Sequence, residues 1–392
     1  MVAILHAGKS LCPLLFEQTE KVLSNIVSLD RSNIGSQTHD FAPSVRARVP
    51  DDAAMLRKAA EITRDINVAK PVIYWGDFLG SALFGYAGLV GAIVLSGGFA
   101  VVSALVAVLA LYRAGSFIHE LTHIRHRELP WFRLGWNMVV GVPLLVPSFM
   151  YEGVHNLHHA RTRYVTVEDP EYLPLALMKP WTLPLFVVTA ALAPIALLVR
   201  FAVLTPLSLL SAPFRKIVVE RFSGLQINPK FRRRVAEGDL KRQWFWQETA
   251  ASLWSITIIL LVIAQIIPLR AFGIFLGIVS GTMLLNQVRT LVAHLWENEG
   301  DAMTVTAQYL DSVNVPPPSM LPALWAPVGL RYHALHHLLP SLPYHSLGEA
   351  HRRLSKALAA DSPYHRGSYT GLPMLVGRLA ASTMRGRVTP PS

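Results

Sequence analysis

The longest uncharged run in the chain covers residues 78–112. A helix needs about 20 apolar residues to cross a bilayer, so this run predicts two membrane helices. The turn between them is expected at Ser96-Gly97-Gly98. A second hairpin is predicted over residues 249–289, turning at Pro268-Leu269-Arg270. Between the two lies 181–214, which is apolar but carries Arg200 and is interrupted by Pro184, Pro194, Pro206 and Pro213. Prolines break helices internally, so this stretch predicts an interfacial or re-entrant helical segment rather than a plain span. Residues 131–150 are expected along the membrane surface. Ahead of the first run, DDAAMLRKAAEITRDINVAKP has a helical period, with a cap near Asp51 and a stop before Pro71. The chain thus divides into an N-terminal segment, 1–50, without a sustained period and expected to be poorly ordered; an amphipathic helix, 51–70; a membrane domain, 71–375; and a tail, 376–392. The predicted fold class is all-α: a polytopic membrane protein with about four transmembrane helices in two hairpins, interfacial helices, and a cytoplasmic cap that carries histidines.

Composition strengthens this picture. The 392 residues are 52% hydrophobic and only 16% charged, against about 25% charged in soluble proteins, and mean hydropathy is +0.37. The formal net charge is +11. Its placement gives an orientation, because Lys and Arg accumulate in cytoplasmic loops. Arg270 is the only basic residue in the two turns, whereas the opposite ends carry Arg57, Lys58, Arg64, Lys70, Arg125, Arg127 and Arg133. Residues 215–242 hold nine Lys or Arg against three acids. Those ends are expected to face the cytoplasm and anionic lipid. Basic residues that flank apolar spans, rather than forming a separate domain, argue against nucleic-acid binding. Cys12 is the single cysteine, which excludes an internal disulfide and a thiolate metal site.

The unusual chemistry is imidazole. HELTH supplies His119 and His123; HNLHH supplies His155, His158 and His159; HALHH supplies His333, His336 and His337. On a helix, residues four apart share a face, so His119 and His123 can grip one ion. Within each H-x-x-H-H box the histidines splay, so one box can serve two neighbouring ions. His294, just beyond the fourth predicted span, makes a ninth candidate ligand. One ion rarely takes more than six ligands, so nine donors favour two metals, and imidazole suits Fe, Cu, Zn or Ni. The remaining histidines read as ordinary interfacial side chains. Glu120, Glu152 and Asp311 are candidates to hold ring N–H groups and fix tautomers. HELTH is also HExxH, the zinc-protease signature with Glu120 as general base, but that alternative leaves both H-x-x-H-H boxes unexplained. A non-catalytic metal carrier is disfavoured by the charge-free run 78–112.

HxxxH, HxxHH and HxxHH, in that order around two membrane hairpins, resemble the membrane fatty acid desaturase and hydroxylase superfamily. The segments HHARTRYVTVEDPEY, RTLVAHLWEN and LRYHALHHLLPSLPYHSLGEAHRRL resemble its bacterial acyl desaturase branch. The resemblance implies a non-haem pair of irons held almost wholly by histidine, with the nine histidines above as ligands and O2 as co-substrate. It implies a fatty acyl desaturase that puts a C=C bond into a lipid acyl chain, or alternatively a hydroxylase or ketolase acting on a lipid, alkane or carotenoid. It also implies a bacterial inner-membrane location with the active site on the cytoplasmic side. The chain contains no HPGG motif of a fused haem domain, so electrons are expected from a separate donor such as ferredoxin or a cytochrome-type protein. Animal acyl desaturases carry Asn four residues before the extra histidine, where it helps hold a water on one iron; here that position is Thr290.

Overall fold

The computed structural model describes residues 49–298 and 300–385, and the expectation for 1–50 lies almost wholly outside them. The described residues are helical and irregular, with three isolated β-bridges and no strand. Helix α1 (Ala53–Ile62) begins where the carboxylate of Asp52 accepts from the amides of Ala54 and Met55, both at 3.0 Å. This is a side-chain cap for two amides that have no partner inside the helix. It ends well short of Pro71, and a short 3-10 turn, Arg64–Ile66, fills the gap.

Helix α2 (Pro71–Val94) starts on a proline, whose fixed φ suits a first helical turn. Helix α3 (Gly97–His123) follows after a turn at the predicted place, with Gly97 at φ +57°. The two helices pack closely because small residues line the seam. A Cβ on Gly88 would lie 2.8 Å from the Ala107 amide, and one on Gly85 would lie 2.6 Å from the Leu111 side chain. Their outer faces leave Leu83, Phe84, Val90, Phe99 and Val101 exposed, an apolar belt suited to lipid. Helix α4 (Phe132–Trp136) runs into a π-helical turn, Asn137–Gly141, and is fixed by Trp136 Nε1, which donates to the Ala114 carbonyl at 2.9 Å.

Among the described residues, five helices are long and apolar enough to cross a membrane. Besides α2 and α3 they are α6 (Thr182–Ser208), α8 (Gly238–Ile263) and α9 (Leu269–Leu291); α5 (His155–His158) and α7 (Ala212–Phe222) are shorter. The second hairpin therefore begins earlier than residue 249. The first turns of α8 carry Asp239, Lys241 and Arg242, so the helix continues beyond its apolar part. Helix α6 bridges its proline sites by switching locally to 3-10 and π geometry. Near its start, Leu183 packs with Leu291 at the end of α9. In its middle, the Ala191 carbonyl accepts from Ser280 at 2.8 Å. Near its end, Arg200 reaches Glu248 in the first half of α8. Helices α10 (Val305–Asp311), α11 (His333–Leu338), α12 (Tyr344–Ala357) and α13 (Leu372–Arg385) complete the fold at the ends of the long helices. Helix α13 runs through the boundary expected at residue 376, and its Leu375 and Leu379 are buried.

Candidate metal centre

All nine candidate histidines come together. They form two groups: His119, His123, His155, His159 and His336; and His158, His294, His333 and His337. Within each group the ligand atoms lie within 4.8 Å of one another. The α-helical period explains the partition. Helix α5 sends His155, and His159 just after it, to the first group, and His158 to the second. Helix α11 does the reverse: His333 and His337 join the second group and His336 the first. Helix α3 adds two rings to the first group, and the turn after α9 adds His294 to the second.

The nitrogens that face inward are mostly Nε2. Their separations are 3.0 Å for His155–His159, 3.1 Å for His123–His336 and 3.2 Å for His159–His336. In the second group they are 3.0 Å for His294–His333 and 3.2 Å for both His158–His294 and His333–His337. Two nitrogens bound at right angles to one ion at about 2.1 Å lie about 3.0 Å apart. The rings are therefore spaced as a coordination shell is. His119 has both ring nitrogens buried without a hydrogen-bond partner, and so does His337 Nδ1. Burying a polar atom without a partner is unfavourable, and a cation supplies one.

Protonation points the same way. Burial holds His155, His159, His294, His333, His336 and His337 well below the usual imidazole range, which leaves the neutral rings that bind metals. His158 differs: burial, the largest effect, opposes its charge, but the carboxylates of Asp169, Glu171 and Asp311 together hold its pKa above the ordinary value. Asp169 is fully buried and sits 3.0 Å from His158 Nδ1 through either oxygen. It is fixed by the amides of Val165 and Glu171, both at 2.8 Å. Glu171 lies 3.1 Å from His155 Nδ1, and its pKa is pushed up to about 7 by burial. His294 Nδ1 meets Tyr164 Oη at 3.0 Å and Ser312 Oγ at 3.2 Å.

A profile of the fatty acid desaturase family matches residues 95–369. A ceramide hydroxylase of Caulobacter vibrioides (strain NA1000 / CB15N) is 49% identical over 334 residues, which is 85% of this chain and 95% of that protein. The chain belongs to the fatty acid desaturase family. It is an oxidoreductase of that superfamily, with a polytopic all-helical membrane fold and histidine clusters able to hold metal. No solved structure matches it.

Glu120, Glu152 and Asp311, suggested as ring partners, stand at different removes from the rings. Glu120 accepts from Tyr74 Oη at 2.5 Å and from the Tyr344 amide at 3.1 Å, tying α2, α3 and α12 together. Its nearer oxygen is 3.6 Å from His119 Nδ1, beyond hydrogen-bond reach. Both histidines of HExxH belong to the five-membered group. With family membership, that arrangement sets the protease alternative aside. Glu152 pairs with Arg133 at 2.9 Å and meets no histidine ring among the described residues. Asp311 is 3.9 Å from His294 Nδ1, and Tyr164 Oη bridges the two, donating to Asp311 Oδ2 at 3.0 Å and meeting His294 Nδ1 at 3.0 Å. Among the described residues, the direct ring partners that sequence reasoning passed over are Asp169, Glu171, Tyr151, Tyr164, Ser312 and Arg289. The one available signal was the acidic pair in VEDPEY, ten to sixteen residues beyond the second box. Thr290 turns its hydroxyl to the Asn286 carbonyl at 2.9 Å, away from the rings.

Proposed function

We propose that this chain is an O2-dependent, iron-containing hydroxylase of a ceramide-type lipid, an N-acylated long-chain amino alcohol. The observation that carries this reading is the 49% identity to a ceramide hydroxylase across almost the full length of that protein. The same evidence favours hydroxylation over the desaturation first expected, while the family itself covers lipid desaturases. The nine histidines fit two irons: five donors for one and four for the other. When bound, such a pair supplies O2 chemistry at a C–H bond; one oxygen atom enters that bond, the other leaves as water, and a separate redox protein provides two electrons and the cell two protons.

The chain's own residues prepare the site. Asp169 and Glu171 hold the Nδ1 protons of His158 and His155, so that Nε2 keeps its lone pair for metal. Burial of His119, His155, His158 and all of α11's histidines excludes bulk water from the cage. None of the nine candidate ligands is a cysteine, so no oxidisable thiolate is among them. The apolar faces of α2, α3, α6, α8 and α9 keep the lipid chain in the plane from which the cage is reached. The basic ends of these helices support a cage at the cytoplasmic face by the positive-inside rule, and the Caulobacter relative supports a bacterial inner membrane.

The test is expression in a bacterial host supplied with ceramide-type and phospholipid acyl substrates, followed by lipid mass spectrometry. The expected product is a ceramide with one added oxygen. New unsaturated acyl chains without hydroxylated lipid would overturn this reading in favour of a desaturase.

A further inference from the structure

Arg289, in the last turn of α9, is about nine-tenths buried. It stands at the end of the membrane-spanning helix α9, five residues before His294 of the four-histidine group. A guanidinium has five N–H donors. Arg289 makes one hydrogen bond among the described residues, from Nη2 to His333 Nδ1 at 3.0 Å. Among the described residues no carboxylate pairs with it. Buried Arg200, by contrast, donates to Phe222, Thr205, Ser223 and Glu248.

The single partner of Arg289 is also conditional. His333 turns Nε2 toward His294 and His337. An imidazole that binds a cation through Nε2 carries its proton on Nδ1, and that Nδ1 donates rather than accepts. A loaded four-histidine group therefore leaves the guanidinium without its acceptor. An unmatched buried cation is costly, and a methylene chain offers it nothing.

We propose that Arg289 binds a hydroxyl oxygen of the lipid substrate and so selects lipids oxidised close to their polar end. This rests on the hydroxylase reading above and assigns one residue to substrate choice. It explains why the membrane side of the cage carries a cation where an acyl-chain slot needs only apolar groups.

The experiment uses the purified full-length protein in detergent with two probes of equal chain length, an N-acyl amino-diol lipid and a plain fatty amide without hydroxyls. Hydroxylation kinetics, iron content, and lipid binding to protein loaded with redox-inert zinc are measured for wild type, Arg289→Met and Arg289→Lys. Loss of a hydrogen bond to a charged group is worth about ten- to a hundredfold in affinity. Arg289→Met is expected to keep its iron and to raise KM for the amino-diol lipid by that factor relative to the plain amide. Arg289→Lys, a milder change that covers a misfolded Met variant, is expected to lose part of the preference at full iron content. Loss of iron in step with activity, or a wild-type preference in both variants, overturns the proposal. If wild type oxidises neither lipid, the hydroxylase reading fails, and the binding arm still decides. A wild-type preference for the amino-diol that the variants lose supports the role of Arg289, and equal binding overturns it.

Discussion

Two buried polar clusters share this apolar framework, and they differ in completeness. Around Glu248, the charges satisfy one another. Arg200 reaches it at 2.6 Å, and Arg215 engages both its oxygens at 2.8 and 2.6 Å. The spare donors of Arg200 go to Ser223 Oγ at 3.0 Å, to the Phe222 carbonyl at 2.7 Å and to Thr205. Arg233 alongside binds the carbonyls of Ser223 and Glu152 and stacks over Trp244 at 4.3 Å. The histidine cage, by contrast, turns nitrogen against nitrogen and leaves buried ring atoms unpartnered. A cluster that closes on itself is scaffold, whereas one that faces inward with lone pairs waits for a ligand. The scaffold also serves the cage, because Arg233 grips the Glu152 carbonyl three residues before His155.

Substitutions on each side of this contrast should behave differently. The largest effect is expected from His158→Ala. It should abolish lipid oxidation and remove about one of two bound ions, read by elemental analysis of purified protein. Full activity in that variant would take His158 out of the site. Glu248→Ala should act on stability instead. Buried Arg200 and half-buried Arg215 lose their counter-charge, at a cost of about 3–5 kcal/mol. A lowered unfolding midpoint with unchanged metal per folded molecule is expected, and selective metal loss would erase the distinction between scaffold and cage. Asp169→Asn keeps the shape of the loop but loses the charge behind His158. Metal affinity should fall about 10- to 100-fold, measured by competition with a chelator; an unchanged affinity would show that the contact is only structural. The smallest change is expected for Tyr164→Phe, about 0.5–1.5 kcal/mol in stability for the lost hydrogen bonds. Its metal content should be retained, and a collapse of the second group would mean that Tyr164 does more than steady His294.

The set of converging histidines was legible in the chain because its signal is local. Histidines at i, i+3 and i+4 must splay on any helix, and α5 and α11 show that splay. The ring partners were not legible. Asp169 and Glu171 sit in a loop, where carboxylates are ordinarily solvated, and only the packing of Val165 and Asn228 around Asp169 buries it. Glu120 misled because HExxH suggests an inward-facing base, whereas Tyr74 and Tyr344 hold its carboxylate. Arg289 looked like a basic residue ending a span, and its place beside His333 depends on a segment 44 residues away.

By itself the sequence determined where the apolar helices lie, which ends carry the positive charge, and which nine imidazoles are available, because each of these follows from composition or from a short period. The tertiary structure alone decided the division into five and four. Spacing of 3.0–3.2 Å between rings from α3, α5, α11 and the turn after α9 is a property of how distant segments pack. It also decided which carboxylates stand behind the rings. Burial and hydrogen-bond geometry select those from a surplus of acids that are alike in one dimension.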